Sequence, residues 1–224
     1  MRPSYNEMKD QALNALSPKW GNAILATLII FILTGIVGNI PLLEYSFGEP
    51  PIDSKISLLS ILISGALSLG MAGFYLNLSR LNEVQFASIF DGFKRYFHAL
   101  AASILMGLII MGGFILLIVP GIIAAIALSQ TYNIMHDNPE MGPVDAMKKS
   151  HEIMNGYKWD YFVFNLSFIG WALLCILTFG LGLLLLIPYI STANAVYYNY
   201  IIGNHTSVHT DRDSSFIDIE YKEL

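Results

Sequence analysis

The stretch YFHALAASILMGLIIMGGFILLIVPGIIAAIALSQTYNIMH (96–136) runs from end to end without an Asp, Glu, Lys or Arg. A hydrocarbon core about 30 Å thick is crossed by about 20 apolar residues of helix. This stretch therefore holds two crossings, and Gly112-Gly113 near its middle reads as the outer turn between them. Three further charge-free runs flank it: 20–43 and 56–79, with room for one crossing each, and 161–210, with room for two. The whole chain is 54% apolar and 13% charged, against about 25% charged residues in soluble domains. A soluble fold so poor in charge could not cover its surface. The expected fold class is an all-α polytopic membrane protein, with six spans at about 20–40, 57–78, 96–111, 114–136, 159–178 and 182–202.

The basic residues orient these spans. Arg2, Lys9 and Lys19 precede the first; Arg80, Lys94 and Arg95 lie between the second and third. Lys148, Lys149 and Lys158 lie between the fourth and fifth, and Arg212 and Lys222 follow the sixth. Only Lys55 falls on the other side. Short loops rich in Lys and Arg stay cytoplasmic, so both termini are expected inside, and the loop 44–56 with Glu44, Glu49 and Asp53 outside. Residues 1–19 contain Glu7 and Asp10 and lack an apolar core. They do not read as a signal peptide, and the first span is expected to stay in the mature chain. Cys175 is the one cysteine and falls mid-span, where it is expected to pack as a small apolar group.

The hairpins echo one another. Aligning Lys94 with Lys158 brings Gly92 onto Gly156 and Phe93 onto Tyr157; further on, Gly112 meets Gly180, Pro120 meets Pro188 and Tyr132 meets Tyr200. The offset grows from 64 to 68 residues, which reads as one extra helical turn in span 5. A fainter first unit has Lys19-Trp20 in the place of Lys158-Trp159. Each unit opens on an amphipathic stretch, expected as interfacial helices at about 4–16 (Tyr5, Met8, Ala12, Leu13 and Leu16 on one face) and 143–154 (Val144, Met147, His151 and Met154). Pro143 and Asp145 suit the start of the second. At each cytoplasmic mouth a Gly or Pro lets the chain turn. Lys19, Lys94, Arg95 and Lys158 meet head groups there, and Trp20 and Trp159 sit at head-group level. Gly180-Leu181-Gly182 reads as the last outer turn. Pro120 and Pro188 are then expected inside spans 4 and 6, kinking them.

FDGFKRYFHAL (90–100), IVPGI (118–122), HDNPEMGPVDAMKKSHEIMNGYKW (136–159), SFIGW (167–171) and GLGLLLLIPYISTANAVYYNY (180–200) together resemble a family of bacterial six-helix membrane proteins of unknown function. The pattern is also distantly similar to the membrane domain of some glycerophosphodiesterases. The resemblance covers the chain to about Gly203. It implies a six-helix domain in the bacterial inner membrane and carries no catalytic residues.

Apart from Asp160 at the very start of the fifth, the spans contain no Asp, Glu, Lys or Arg, which argues against a proton-coupled pump. They do contain Asn39, Gln130, Asn133, Asn165 and Asn194, with Thr27, Ser64, Ser68, Thr131, Ser167 and Thr192. These read either as glue between helices or as the polar lining of a lipid or solute path. Gln130, Asn133 and Asn194, near the helices of Pro120 and Pro188, are the residues such a path would use. His205 and His209 are four apart but lack a third ligand; neither a metal nor another cofactor is expected. The cluster His136–Glu140 is the only one an enzyme could be built on, and it equally suits a loop that starts a helix. Residues 204–224 form a polar, acidic tail, expected in the cytoplasm; it reads equally as a disordered tail or as a docking motif, since FIDIEY (216–221) alternates as an edge strand added to a partner would. A net charge of −5 and the lack of a basic patch oppose nucleic acid as a partner. The expected partners are membrane lipids and an unidentified membrane or cytoplasmic protein. These features favour a non-enzymatic envelope accessory or scaffold, with a lipid or small-molecule carrier, its cavity between hairpins, as the alternative.

Overall fold

The computed structural model describes residues 4–38, 58–178 and 180–220, with side chains described throughout except at 34–38, 58–61, 176 and 204–220. The expected outer loop 44–56 and Asn39 lie outside these residues, as do the side chains of His205 and His209. The described residues are helical, without strands. In chain order they are α1 (Tyr5–Leu16), α2 (Trp20–Gly38), α3 (Leu58–Ser79), a 3-10 segment (Phe86–Arg95), α4 (Tyr96–Leu116), α5 (Ile118–Leu128), α6 (Thr131–Asp137), α7 (Pro143–Ile153), α8 (Lys158–Leu166), α9 (Ile169–Leu177) and α10 (Leu183–Glu220). Among them, Tyr5–Leu33, Leu62–Ser79, Phe86–Leu116 and Ile118–Asp137 are helical stretches long and apolar enough to cross a membrane. The α4–α5 corner supports the same environment. Phe114, Ile115, Leu116, Leu117, Ile118 and Val119 are consecutive, apolar and between 47% and 78% exposed, a patch that water would penalise.

That corner is not where the glycines predict it. α4 continues through Gly112-Gly113, and the chain turns at Leu117, whose backbone is extended (φ −166°, ψ 157°). Gly113 serves contact instead: a Cβ there would lie 2.9 Å from the Gly121 Cα, so the missing side chains let α4 and α5 cross closely. The Pro120 expectation changes with the corner. Pro120 is the third residue of α5 rather than an interior kink, and the first turn of a helix has no partner for its N–H in any case. Pro188 does lie inside α10.

Two helical runs are each broken once. Between α5 and α6 the helix lapses at Ser129-Gln130, and between α8 and α9 at Ser167-Phe168. The second break falls in the stretch where the one-turn insertion is expected. Phe168, buried in the core, packs edge-on against Phe164 and lies under Lys9, whose ammonium is 4.6 Å from its ring centre. Gly180, at φ +84°, turns the chain ahead of α10, and a Cβ on Gly182 would meet Cys175, which is buried there. α10 stays helical through Glu220, so the expected strand at FIDIEY is helix instead, as far as Glu220.

The amphipathic helices bury part of their apolar faces against the bundle. Ser4 caps α1, and Glu7 returns the bond to the Ser4 N–H, closing a capping box. Met8, Ala12, Ala15 and Leu16 are buried, Tyr5 packs on Phe164, and Leu13 remains exposed. On α7 the buried face is Ala146, Met147, Ser150 and Ile153, so Val144 and His151 turn outward.

The tightest packing lies between α3 and the 3-10 segment. A Cβ on Gly70 would fall 1.6 Å from the Ile89 carbonyl oxygen, and one on Gly92 1.9 Å from that of Ala66. Gly92 is thus a contact point rather than the expected turn. The segment turns Phe86, Phe90 and Phe93 outward, and the start of α4 adds Phe97, as an interfacial element should. Alanine at Gly70 or Gly92 must push these backbones apart and is expected to cost about 1–3 kcal/mol. Alanine at Gly107, where a Cβ meets nothing within 4 Å, is expected to be neutral or to stabilise by up to about 1 kcal/mol. Reversible unfolding in mixed micelles separates the two classes.

Candidate functional site

Two polar clusters stand out against the apolar bundle. The first closes the break between α5 and α6. Losing the helical ladder there frees backbone groups that lipid cannot satisfy. Ser150 of α7, fully buried, fills the gap: its hydroxyl donates to the Ala127 carbonyl at 2.8 Å and accepts from the Gln130 N–H at 3.2 Å. Ser129 and Thr131 return their hydroxyls to the Ile126 and Leu128 carbonyls. The Gln130 side chain donates to the Ser129 hydroxyl at 3.1 Å and accepts from the Asn133 amide at 2.9 Å. Gln130 and Asn133 are therefore brought together, but bonded to each other and to a serine. Asn194 does not join them; its Oδ1 is buried without a hydrogen-bond partner. Elsewhere Thr192 bonds the Pro188 carbonyl, Asn165 that of Tyr161 and Ser167 that of Phe164, while Thr27 meets the Tyr75 hydroxyl at 3.0 Å between α2 and α3. Most of these bonds are local to one helix; Thr27–Tyr75 and the Ser150 bonds join separate helices.

The second cluster lies where α3, α6 and α10 meet. Arg80 follows the last residue of α3 and grips both oxygens of Asp137, at the end of α6, at 2.7 Å each. This two-pronged pairing is the strong geometry for guanidinium and carboxylate. The bonded carboxylate holds the Arg80 guanidinium above its ordinary pKa. From α10, the Tyr198 hydroxyl donates to Asp137 at 3.1 Å, and Asn199 accepts from Arg80 Nε at 3.0 Å while donating to Ser79 at 2.9 Å. Glu140, in the cluster an enzyme would need, stays exposed. Asn138 turns back to the Ile134 carbonyl.

A small cleft of about 220 Å³ lies beside this cluster, floored by Gly70 and Gly73 and walled by Asn77, Ser88, Arg95 and His136. The His136 ring lies against Gly73, where a Cβ would come within 2.3 Å of it. Its Nδ1 is 3.7 Å from Asp137 Oδ1, too far for a hydrogen bond. Among the described residues no group of three or more His, Cys, Asp or Glu could hold a metal ion.

The expected anchors divide. Arg95 is engaged by the protein: its guanidinium donates to the Met135 carbonyl within α6 at 2.7 Å and to the Met141 carbonyl in the turn after it at 2.9 Å. Lys19 bonds the Asn82 carbonyl, next to a bond from Asn22 to Val84, and Trp20 packs partly on the core. Lys94 is exposed beside Asp91, and Trp159 is exposed beside Phe162, positions an anchor can use, while Lys158 is half-buried at the start of α8.

A family model described as protein of unknown function (DUF975) matches residues 1–115 and 108–205. The chain belongs to this family. No curated protein and no solved structure matches it. The DUF975 membership adds no activity to the all-helical, apolar architecture.

Ser150→Ala would orphan the Gln130 N–H and the Ala127 carbonyl in a buried site, with an expected cost of about 1–3 kcal/mol. Arg95→Lys keeps the charge but cannot reach both carbonyls from one point, and is expected to cost about 1–2 kcal/mol. Lys94→Gln, in an exposed pair, is expected to change stability by less than about 0.5 kcal/mol. Denaturant titration of the three variants in one detergent checks this order.

Proposed function

We propose that this chain is a non-enzymatic accessory or scaffold protein of the bacterial cytoplasmic membrane, with six spans in three hairpins and both termini in the cytoplasm. α8 with α9, and the apolar first part of α10, supply the fifth and sixth crossings. The distribution of Lys and Arg, with Lys55 alone on the far side, supports the orientation.

The observation that carries the reading is that the central polar side chains of the two clusters are spent on the protein itself, although the buried Asn194 Oδ1 and His136 Nδ1 lack a hydrogen-bond partner. Gln130 and Asn133 bond each other, Arg80 and Asp137 chelate each other, and Arg95 holds backbone carbonyls. A carrier or enzyme would keep such groups facing a substrate. What remains is a stiff membrane body with an aromatic, basic face at Phe86–Phe97 and a helix extending from its last span, features that suit holding other components in place. The carrier reading retains one support, an apolar groove beside Pro120.

Two measurements on the full chain test this. Native mass spectrometry after mild extraction is expected to show a membrane or cytoplasmic protein retained at fixed ratio. Reconstituted alone into vesicles, the protein is expected to move fluorescent phospholipid no faster than empty vesicles do. Movement or chemical conversion of a substrate by the purified chain alone overturns the proposal.

A further inference from the structure

The geometry points to a binding site for an anionic phospholipid in the groove between α4, α5 and α7: one acyl chain lies along α5, and the head-group phosphate rests on Lys148 and His151. The groove has a volume of about 570 Å³. Val119, Ile123 and Ala127 follow one another every four residues along α5, which makes a continuous ridge about 12 Å long. Ile109 of α4 forms the facing wall, and Val144 of α7 closes the polar end.

The pattern of charge selects the occupant. Val144, Lys148 and His151 are spaced four and three apart on α7, so they share one face. It borders the face buried in the bundle, which carries Ala146, Met147, Ser150 and Ile153, and Met147 lines the groove beside it. The groove is therefore apolar along its length with two nitrogen donors at one end, the inverse of a phospholipid with an anionic head. Ile109, Ile123 and Val144 are each about half exposed, so the groove opens sideways into lipid. Lys148 also faces Asp145 at 3.9 Å, both side chains largely exposed. Such a pair is weak, and the ammonium is able to turn to a phosphate. A zwitterionic lipid would fill the same groove but would bring its own cation to Lys148. This site holds for a scaffold as for a carrier and does not rest on the proposed function.

The test is native mass spectrometry of the purified full chain with equal amounts of dioleoyl phosphatidylglycerol and dioleoyl phosphatidylcholine. The wild type is expected to retain the anionic lipid about fivefold or more in preference. K148Q/H151Q is expected to bring that ratio close to one, while K149Q, which alters the neighbouring lysine outside the groove, keeps it. I123W, which fills the apolar part, is expected to reduce retention of both lipids. No preference in the wild type, an unchanged ratio in K148Q/H151Q, equal loss in K149Q, or a protein segment found in the groove would overturn the proposal.

Discussion

The pairing of Arg80 with Asp137 holds together parts of the chain that are far apart in sequence. α3 ends one residue before Arg80, α6 ends on Asp137, and α10 reaches both through Tyr198 and Asn199. Lipid-immersed helices gain little from hydrophobic association, because lipid tails are as apolar as leucine. Directional bonds must set their register. Here a bidentate ion pair, partly shielded at 35% and 22% side-chain exposure, does so at the end of the bundle where charge is tolerable. Its position also fixes His136, the next residue back, against Gly73.

Close backbone approach supplies the rest. Gly70 and Gly92 bring the 3-10 segment onto α3, Gly113 and Gly121 bring α4 onto α5, and Ser150 seals the one place where α5 and α6 leave backbone groups bare. These contacts make the middle of the bundle dense and self-satisfied. Space is left at its margins: the small cleft by His136 and the apolar groove by Pro120. The functional reading follows from that division, with an inert interior and adaptable edges.

The membrane class was legible because it rests on length and on the absence of charge, quantities that tertiary context cannot alter. Helix ends were less so. Gly112-Gly113 looks like a turn, but an interior glycine is tolerated where a neighbouring helix needs its bare surface. Moving the corner to Leu117 then moved Pro120 from a kink to a first turn. Lys94 and Arg95 are adjacent and read alike, yet only Arg95 presents a planar fork that matches two carbonyls. Ser150 gave no signal, since its role exists only once the break at Ser129-Gln130 is known. Arg80 was legible as a topology marker and not as a partner, because pairing across 57 residues leaves no periodic trace. The two polar residues drawn together, Gln130 and Asn133, are one helical turn apart; Asn194 is far from them in sequence, and no periodicity links it to them.

A double-mutant cycle on Arg80→Gln and Asp137→Asn, read from reversible unfolding in mixed micelles, tests the central claim most directly. If the pair sets the register of the three helices, each single change is expected to cost about 2 kcal/mol and the coupling between them to reach at least about 1.5 kcal/mol. A coupling below about 0.5 kcal/mol, with the two costs simply adding, would mean that the bundle does not depend on this pair.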